Sequence, residues 1–170
     1  MKIILLGYMG VGKTSISKLL SKKMGLPYFD LDEIIEQYEN ASVREIFETK
    51  GEIYFRKIEH RLLSEFLAKS ENFILGLGGG TPCYSDNHLF LLDKNIESIF
   101  LKSSVANLIK NLSKEKNNRP LIKDMSDDEL EEFIAKHLFE RTFYYQKAKH
   151  TIIVDEKSKS EIVKMIMSLF

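Results

Sequence analysis

One cysteine, Cys83, stands among the 170 residues, so the chain forms no internal disulfide and its thiol content fits a reducing compartment. No apolar run approaches the roughly 18 residues of a membrane-crossing helix, and no basic-then-apolar leader precedes the first apolar stretch. The expectation is a cytoplasmic protein with no membrane partner. Neither sign of charge is in excess: 25 acidic residues balance 25 basic ones, which argues against nucleic acid or a membrane surface held by bulk charge. The four histidines, His60, His88, His137 and His150, have no metal-ligand spacing to one another or to Cys83, and read as surface or helix residues. Arginine is scarce too. Five of the 25 cations are arginine (Arg44, Arg56, Arg61, Arg119 and Arg141), so lysine is the default cation and an arginine points, loosely, to a place that uses its two-pronged donor.

What is present is an ordinary globular composition, 44% hydrophobic and 29% charged, in a length that suits one domain over residues 1–170 with a core of its own. A monomer is expected. The strongest local signal is Gly7-Tyr8-Met9-Gly10-Val11-Gly12-Lys13-Thr14, a G-x-x-x-x-G-K-[ST] loop set between the apolar run Ile3–Leu6 and a helical pattern over Ser15–Met24. Its glycines let the backbone curl around an anion and turn successive N–H groups inward at a helix N-terminus. Lys13 then reaches the β- and γ-phosphates of a nucleotide, and Thr14 offers a hydroxyl to a magnesium ion bridging them.

Further along, Leu26–Asp30 reads as a second strand ending in the carboxylates Asp30 and Asp32. Two like charges so close call for a cation or a hydrogen-bonding ligand, unless Asp32 simply caps a helix over Glu33–Tyr38. Ser42 opens a capping box, Gly51 breaks the chain, and a longer helix over Glu52–Leu67 carries Arg56 and Glu59, whose spacing also allows a plain surface pair. Phe73–Leu77 is a third strand running into Gly78-Gly79-Gly80, which is either a flexible turn or a place of close backbone approach. Cys83 reads as a small buried hydrophobe with no basic partner, and Ser85–Leu92 as a helix. A fourth strand over Ser98–Leu101 and a helix over Ser104–Leu112 precede the polar segment 113–125, with Lys114, Lys116, Arg119 and Lys123 against Glu115 and Asp124. That segment is a lid over an anionic ligand or a solvated loop. A long helix from Ser126 to Gln146, a fifth strand over Thr151–Val154 and a final helix from Ser158 complete an α/β chain with a parallel sheet covered on both faces. In such a sheet ligands bind beyond the carboxyl ends of the strands. The phosphate loop, Asp30/Asp32 and Gly78–Gly80 all fall there.

With these residues in place the chain resembles shikimate kinase, a small P-loop enzyme family similar in fold to nucleoside monophosphate kinases. The resemblance covers nearly the whole length, through Gly7–Thr14, Phe29–Asp32, Ser42–Phe47, Phe55–Glu59, Gly78–Gly80, Arg119–Leu121 and Arg141–Tyr145 in that order. It implies a three-layer α/β/α domain with a five-stranded parallel sheet, a substrate-binding region over residues 31–60 and a mobile lid over 113–125. The implied activity is transfer of the γ-phosphoryl group of ATP, with Mg²⁺, to the 3-hydroxyl of shikimate. By the same resemblance Lys13, Asp32 and Arg119 are catalytic, and Gly10, Val11, Gly12, Lys13, Thr14, Ser15, Arg119 and Lys157 hold the nucleotide. Asp32, Arg56, Gly78, Gly79, Gly80 and Arg141 bind the acceptor, while Thr14 and Asp30 serve the metal.

Three of the five arginines fall in this implied site. Guanidinium forks suit a planar carboxylate, and a fixed carboxylate suits vicinal hydroxyls. The rivals are another small-molecule kinase of the same fold, acting on gluconate or a nucleoside monophosphate, and a non-catalytic ATP-binding regulatory module.

Overall fold

The computed structural model describes residues 1–69, 71–116 and 121–170. Five parallel strands form one sheet in the order β2-β3-β1-β4-β5: β1 (Lys2–Leu6), β2 (Tyr28–Asp30), β3 (Phe73–Gly76), β4 (Ile96–Lys102) and β5 (His150–Ile153). β1 is central because it is apolar on both faces. Ile3, Ile4, Leu5 and Leu6 are all solvent-inaccessible, as expected of a strand with helices above and below. Leu5 pairs with Gly76 of β3 and with Ile99 of β4.

The helices are α1 (Lys13–Met24), α2 (Leu31–Glu39), α3 (Val43–Leu67), α4 (Val105–Glu115), α5 (Asp127–Tyr145) and α6 (Lys159–Met167). α1 packs on α6 and against β3, α2 on α3, and α4 on α5. Ser42, Ser126 and Ser158 each cap a helix with a reciprocal Ser–Glu box, as their S-x-x-E spacing predicts. Gly51, at φ 83°, bends α3 where the sequence predicts a break.

Two expectations are corrected. Residues 85–92 do not form an α-helix: Ser85 and Asp86 take positive φ, and Asn87–Leu92 is a 3-10 segment. Asp32 is not the cap of α2. Asp30 takes that place, its side chain accepting from the Asp32 amide at 3.0 Å, so α2 begins at Leu31 and the Asp32 side chain is left for other work. Among the described residues no helix is long and apolar enough to cross a membrane.

Topology fixes where the site lies. The loop after β1, the carboxylate ending β2 and the triple glycine after β3 all leave the same edge of a parallel sheet, with neighbouring strands about 4.8 Å apart. Asp30 is therefore about two strand spacings from the phosphate loop, and Gly78–Gly80 emerges between them.

Candidate active site

The loop Gly7–Thr14 is pinned from behind. A Cβ on Gly7 would lie 2.6 Å from the Leu101 carbonyl oxygen, and one on Gly10, at φ +80°, would lie 2.7 Å from Leu112. Both positions require glycine, the first for space and the second for space and conformation. Asn111 of α4 donates its side-chain amide to the Gly10 carbonyl at 2.9 Å, and Lys13 folds back to donate to the carbonyls of Gly7 (2.7 Å) and Tyr8 (3.2 Å). A cleft of about 820 Å³ runs along this loop. Its walls include Gly10, Val11, Gly12, Lys13, Thr14 and Ser15, with Asn107, Asn111 and Lys157 at one end and Asp30, Asp32, Gly78 and Gly79 at the other. Amides at a helix N-terminus, a lysine and a threonine hydroxyl in one cleft make a site for a polyphosphate.

At the far end, the Tyr28 hydroxyl donates to Asp30 at 2.9 Å and also meets the Thr14 hydroxyl, gathering a phenol, an alcohol and a carboxylate into an all-oxygen cluster. Asp32 stands beside it, half-buried. Burial, followed by the neighbouring charges of Asp30 and Glu59, pushes its pKa from 3.8 up to about 6, with Lys13 pulling the other way. A carboxylate held at that value is ionised at neutral pH yet ready to take a proton.

Asp32, Arg56 and Arg141 come from α2, α3 and α5, and all three meet the triple-glycine turn. A Cβ on Gly78 would fall 3.1 Å from the Asp32 carboxylate, one on Gly79 3.2 Å from the Arg141 guanidinium, and one on Gly80 2.7 Å from that of Arg56. The turn is bare so that these charged groups can crowd it. It is also held. Thr81 donates to Glu59 at 2.7 Å, and the Tyr145 hydroxyl donates to the Gly79 carbonyl at 2.5 Å. The second shape the sequence allows, a loose turn, is ruled out by these bonds.

The Arg56–Glu59 pair is not the surface bridge that its spacing permits. Glu59 is 1% exposed and accepts from Arg56 at 2.8 Å, while the Tyr84 ring lies 4.0 Å over the guanidinium carbon. The Arg56 Nε is buried without a hydrogen-bond partner, its ion-pair contact with the exposed Glu52 carboxylate, at 3.6 Å, being too long for one. Cys83 does have basic neighbours, contrary to expectation, since Arg141 and Arg56 both act on its thiol. Burial outweighs them and lifts its pKa to about 11, so it is inert as predicted.

Every predicted site residue outside 117–120 therefore lies along this rim. Lys157 lines the nucleotide cleft with its ammonium 3.4 Å from the Asp155 carbonyl oxygen. Arg119 lies outside the described residues. Sequence reasoning overlooked Glu59, Tyr84, Tyr145 and Asn111 as parts of the site. Glu59 and Tyr145 end the segments Phe55–Glu59 and Arg141–Tyr145 that carry the resemblance, which was the available signal; Tyr84 and Asn111 carried none.

A family profile described as "Shikimate kinase" matches residues 9–170. The chain belongs to the shikimate kinase family. The shikimate kinase of Flavobacterium psychrophilum is 54% identical over 97% of this chain and 96% of its own length. The crystal structure of the Bacteroides thetaiotaomicron shikimate kinase superposes with a TM-score of 0.91 at 34% identity, covering 99% of this chain and 97% of that one. An Acinetobacter baumannii shikimate kinase solved in complex with shikimate gives 0.85 at 28% identity, over 99% and 91% of the two chains. These likenesses cover the stretches that hold Arg56 and Arg141 as well as the phosphate loop.

Proposed function

We propose that the chain transfers the γ-phosphoryl group of ATP to the 3-hydroxyl of shikimate, giving shikimate 3-phosphate and ADP on the route to chorismate and the aromatic amino acids. The observation that carries the acceptor is the convergence of Asp32, Arg56 and Arg141 on Gly78–Gly80, at the end of the cleft away from Lys157. Two guanidinium forks there match one planar carboxylate, and the Arg56 Nε, whose contact with Glu52 is a long 3.6 Å, gains a hydrogen-bond acceptor when the anion arrives.

In this reading Lys13 and the loop amides draw charge off the γ-phosphoryl group as its bond to ADP breaks. Asp32 orients the attacking hydroxyl and receives its proton as the new P–O bond forms. Positioning carries most of the rate, because a loose phosphoryl transition state needs little push from a base. Arg119 is assigned to the nucleotide's phosphates from the lid, residues 113–125, and residues 31–60 to the acceptor.

The oxygens of Thr14, Tyr28 and Asp30 fit magnesium, which favours hard oxygen donors. Magnesium keeps several waters and takes few protein ligands besides phosphate oxygens, which a hydroxyl and one carboxylate at this end of the cleft would supply. Thr14 would hold it directly and Asp30 through water. Its chemistry there is to neutralise phosphate charge. The protein acts as a monomer in this reading, consistent with a core complete within one chain.

The test is ADP release measured with shikimate, gluconate and AMP as separate acceptors. Release dependent on shikimate alone supports the proposal. Equal or greater release with another acceptor, or none with any of the three, overturns it.

A further inference from the structure

α5 presents His137, Arg141 and Tyr145 at successive four-residue steps, which places them on one face of the helix. That face touches two different parts of the site. Tyr145 bonds to the triple-glycine turn through Gly79, and His137 bonds to the phosphate loop through Tyr8, whose hydroxyl lies 3.0 Å from the His137 Nδ1. Arg141 stands between them, with its guanidinium carbon 5.8 Å from the Tyr8 ring centre. The Tyr8 side chain is 1% exposed, and its ring meets the imidazole edge-on at 5.6 Å.

A buried tyrosine hydroxyl needs a partner, and here the partner comes from a helix far along the chain. The bond is therefore more than a local satisfaction of one polar group. It ties the backbone that cradles phosphate to the helix that carries the acceptor's arginine. The turn closes the triangle: a Cβ on Gly79 would lie 3.6 Å from the Gly7 carbonyl oxygen and 3.6 Å from the Met9 nitrogen, so turn, loop and helix touch with nothing between them.

We propose that Tyr8 and His137 are a positioning pair that docks α5 on the phosphate loop and thereby fixes Arg141 for the acceptor carboxylate. Neither residue touches the reacting atoms. Burial and then Arg141 push the His137 pKa below its ordinary value, which keeps the ring neutral beside the guanidinium and the hydrogen bond undisturbed at neutral pH. A leucine at 137 would keep the packing against Phe133 and lose the bond, whereas an asparagine can place a polar atom near the position of Nδ1.

This inference rests on Arg141 gripping the acceptor, so the experiment carries a separate arm for that. Steady-state kinetics and melting midpoints are measured for Tyr8→Phe, His137→Leu, His137→Asn, the double Tyr8→Phe/His137→Leu and Arg141→Lys. The shikimate KM should rise about 3–10-fold in Tyr8→Phe and in His137→Leu, the effect of one lost hydrogen bond, with the ATP KM changed by less than about twofold. His137→Asn should recover most of the loss, and the double variant should be no worse than the weaker single. If Tyr8→Phe melts below the assay temperature, the half-exposed His137 pair decides alone. An unchanged shikimate KM in His137→Leu, failure of His137→Asn to recover, or additive losses in the double variant overturns the positioning role. An unchanged shikimate KM in Arg141→Lys refutes the Arg141 assignment itself and the pair's role with it.

Discussion

Arg56 and Glu59 face each other one turn apart on α3 at 2.8 Å, and Glu59 spends its other carboxylate oxygen on the Thr81 hydroxyl. The carboxylate thus aims the arginine and braces the triple-glycine turn at once. Truncation to Glu59→Ala leaves the Arg56 guanidinium with the longer 3.6 Å pair to the exposed Glu52 carboxylate and the Thr81 hydroxyl without its acceptor, and should destabilise the fold by up to about 3–5 kcal/mol. Glu59→Gln keeps a hydrogen-bond acceptor for Thr81 but removes the charge, and should raise the shikimate KM by about tenfold with the ATP KM unmoved. Denaturant melts and two-substrate kinetics on the pair of variants check both statements.

Asp32 is held at a cost. Its pKa rises from 3.8 to about 6 on folding, so the folded state binds that proton more tightly than the unfolded one. Such a group lends stability that is complete below pH 3.8 and is lost as pH rises through about 6. At pH 7 the ionised carboxylate therefore costs the free enzyme about 1–3 kcal/mol relative to its protonated form. Asp32→Asn should melt higher than the wild type at pH 7, with the advantage shrinking towards pH 4, while turnover falls about a hundredfold or more. A melting curve at both pH values, paired with an activity assay, reads out the exchange of stability for function.

The same group sets the acid limb of activity. With shikimate well below saturation, kcat/KM should fall about tenfold per pH unit below about 6 as Asp32 takes up its proton. The residual activity of Asp32→Asn should show no inflection there. A pH–rate profile of the two proteins decides it.

Glycine substitutions separate crowding from conformation. Gly80→Ala drives a methyl into the Arg56 guanidinium, 2.7 Å away, and should raise the shikimate KM by about tenfold or more. Gly25→Ala meets nothing within 4 Å but sits at φ +67° after α1, so it should cost about 1 kcal/mol of stability and leave both KM values alone. Kinetics and melts of the two variants, side by side, test the distinction.

Much of this was legible in the sequence because the decisive signals are local. Four consecutive apolar residues, too few for a helix and followed at once by a glycine-rich loop, read as a strand buried on both faces, and S-x-x-E caps named three helix starts. Residues 85–92 misled because apolar residues at helical spacing say nothing about backbone sign. Two positive-φ residues and the Asn87 side chain, which donates to the Thr81 carbonyl, turn that stretch into a 3-10 segment. The cap of α2 falls two residues earlier, on Asp30 rather than Asp32, since either carboxylate could reach an amide two residues on. Burial of Arg56–Glu59 was not legible, because three-residue spacing looks the same on a surface and under a turn. The links from Asn111 to Gly10 and from His137 to Tyr8 span 101 and 129 residues, distances over which no local pattern operates.

The most direct test of the acceptor site is calorimetric titration of shikimate and of shikimate methyl ester into the wild type and Arg56→Lys. If Arg56 grips the carboxylate, the wild type should prefer shikimate by at least tenfold, and Arg56→Lys should weaken shikimate by about 1–3 kcal/mol while barely changing the ester. Equal binding of acid and ester by the wild type, or unaltered shikimate affinity in Arg56→Lys, would contradict the assignment of this arginine and of the turn built around it.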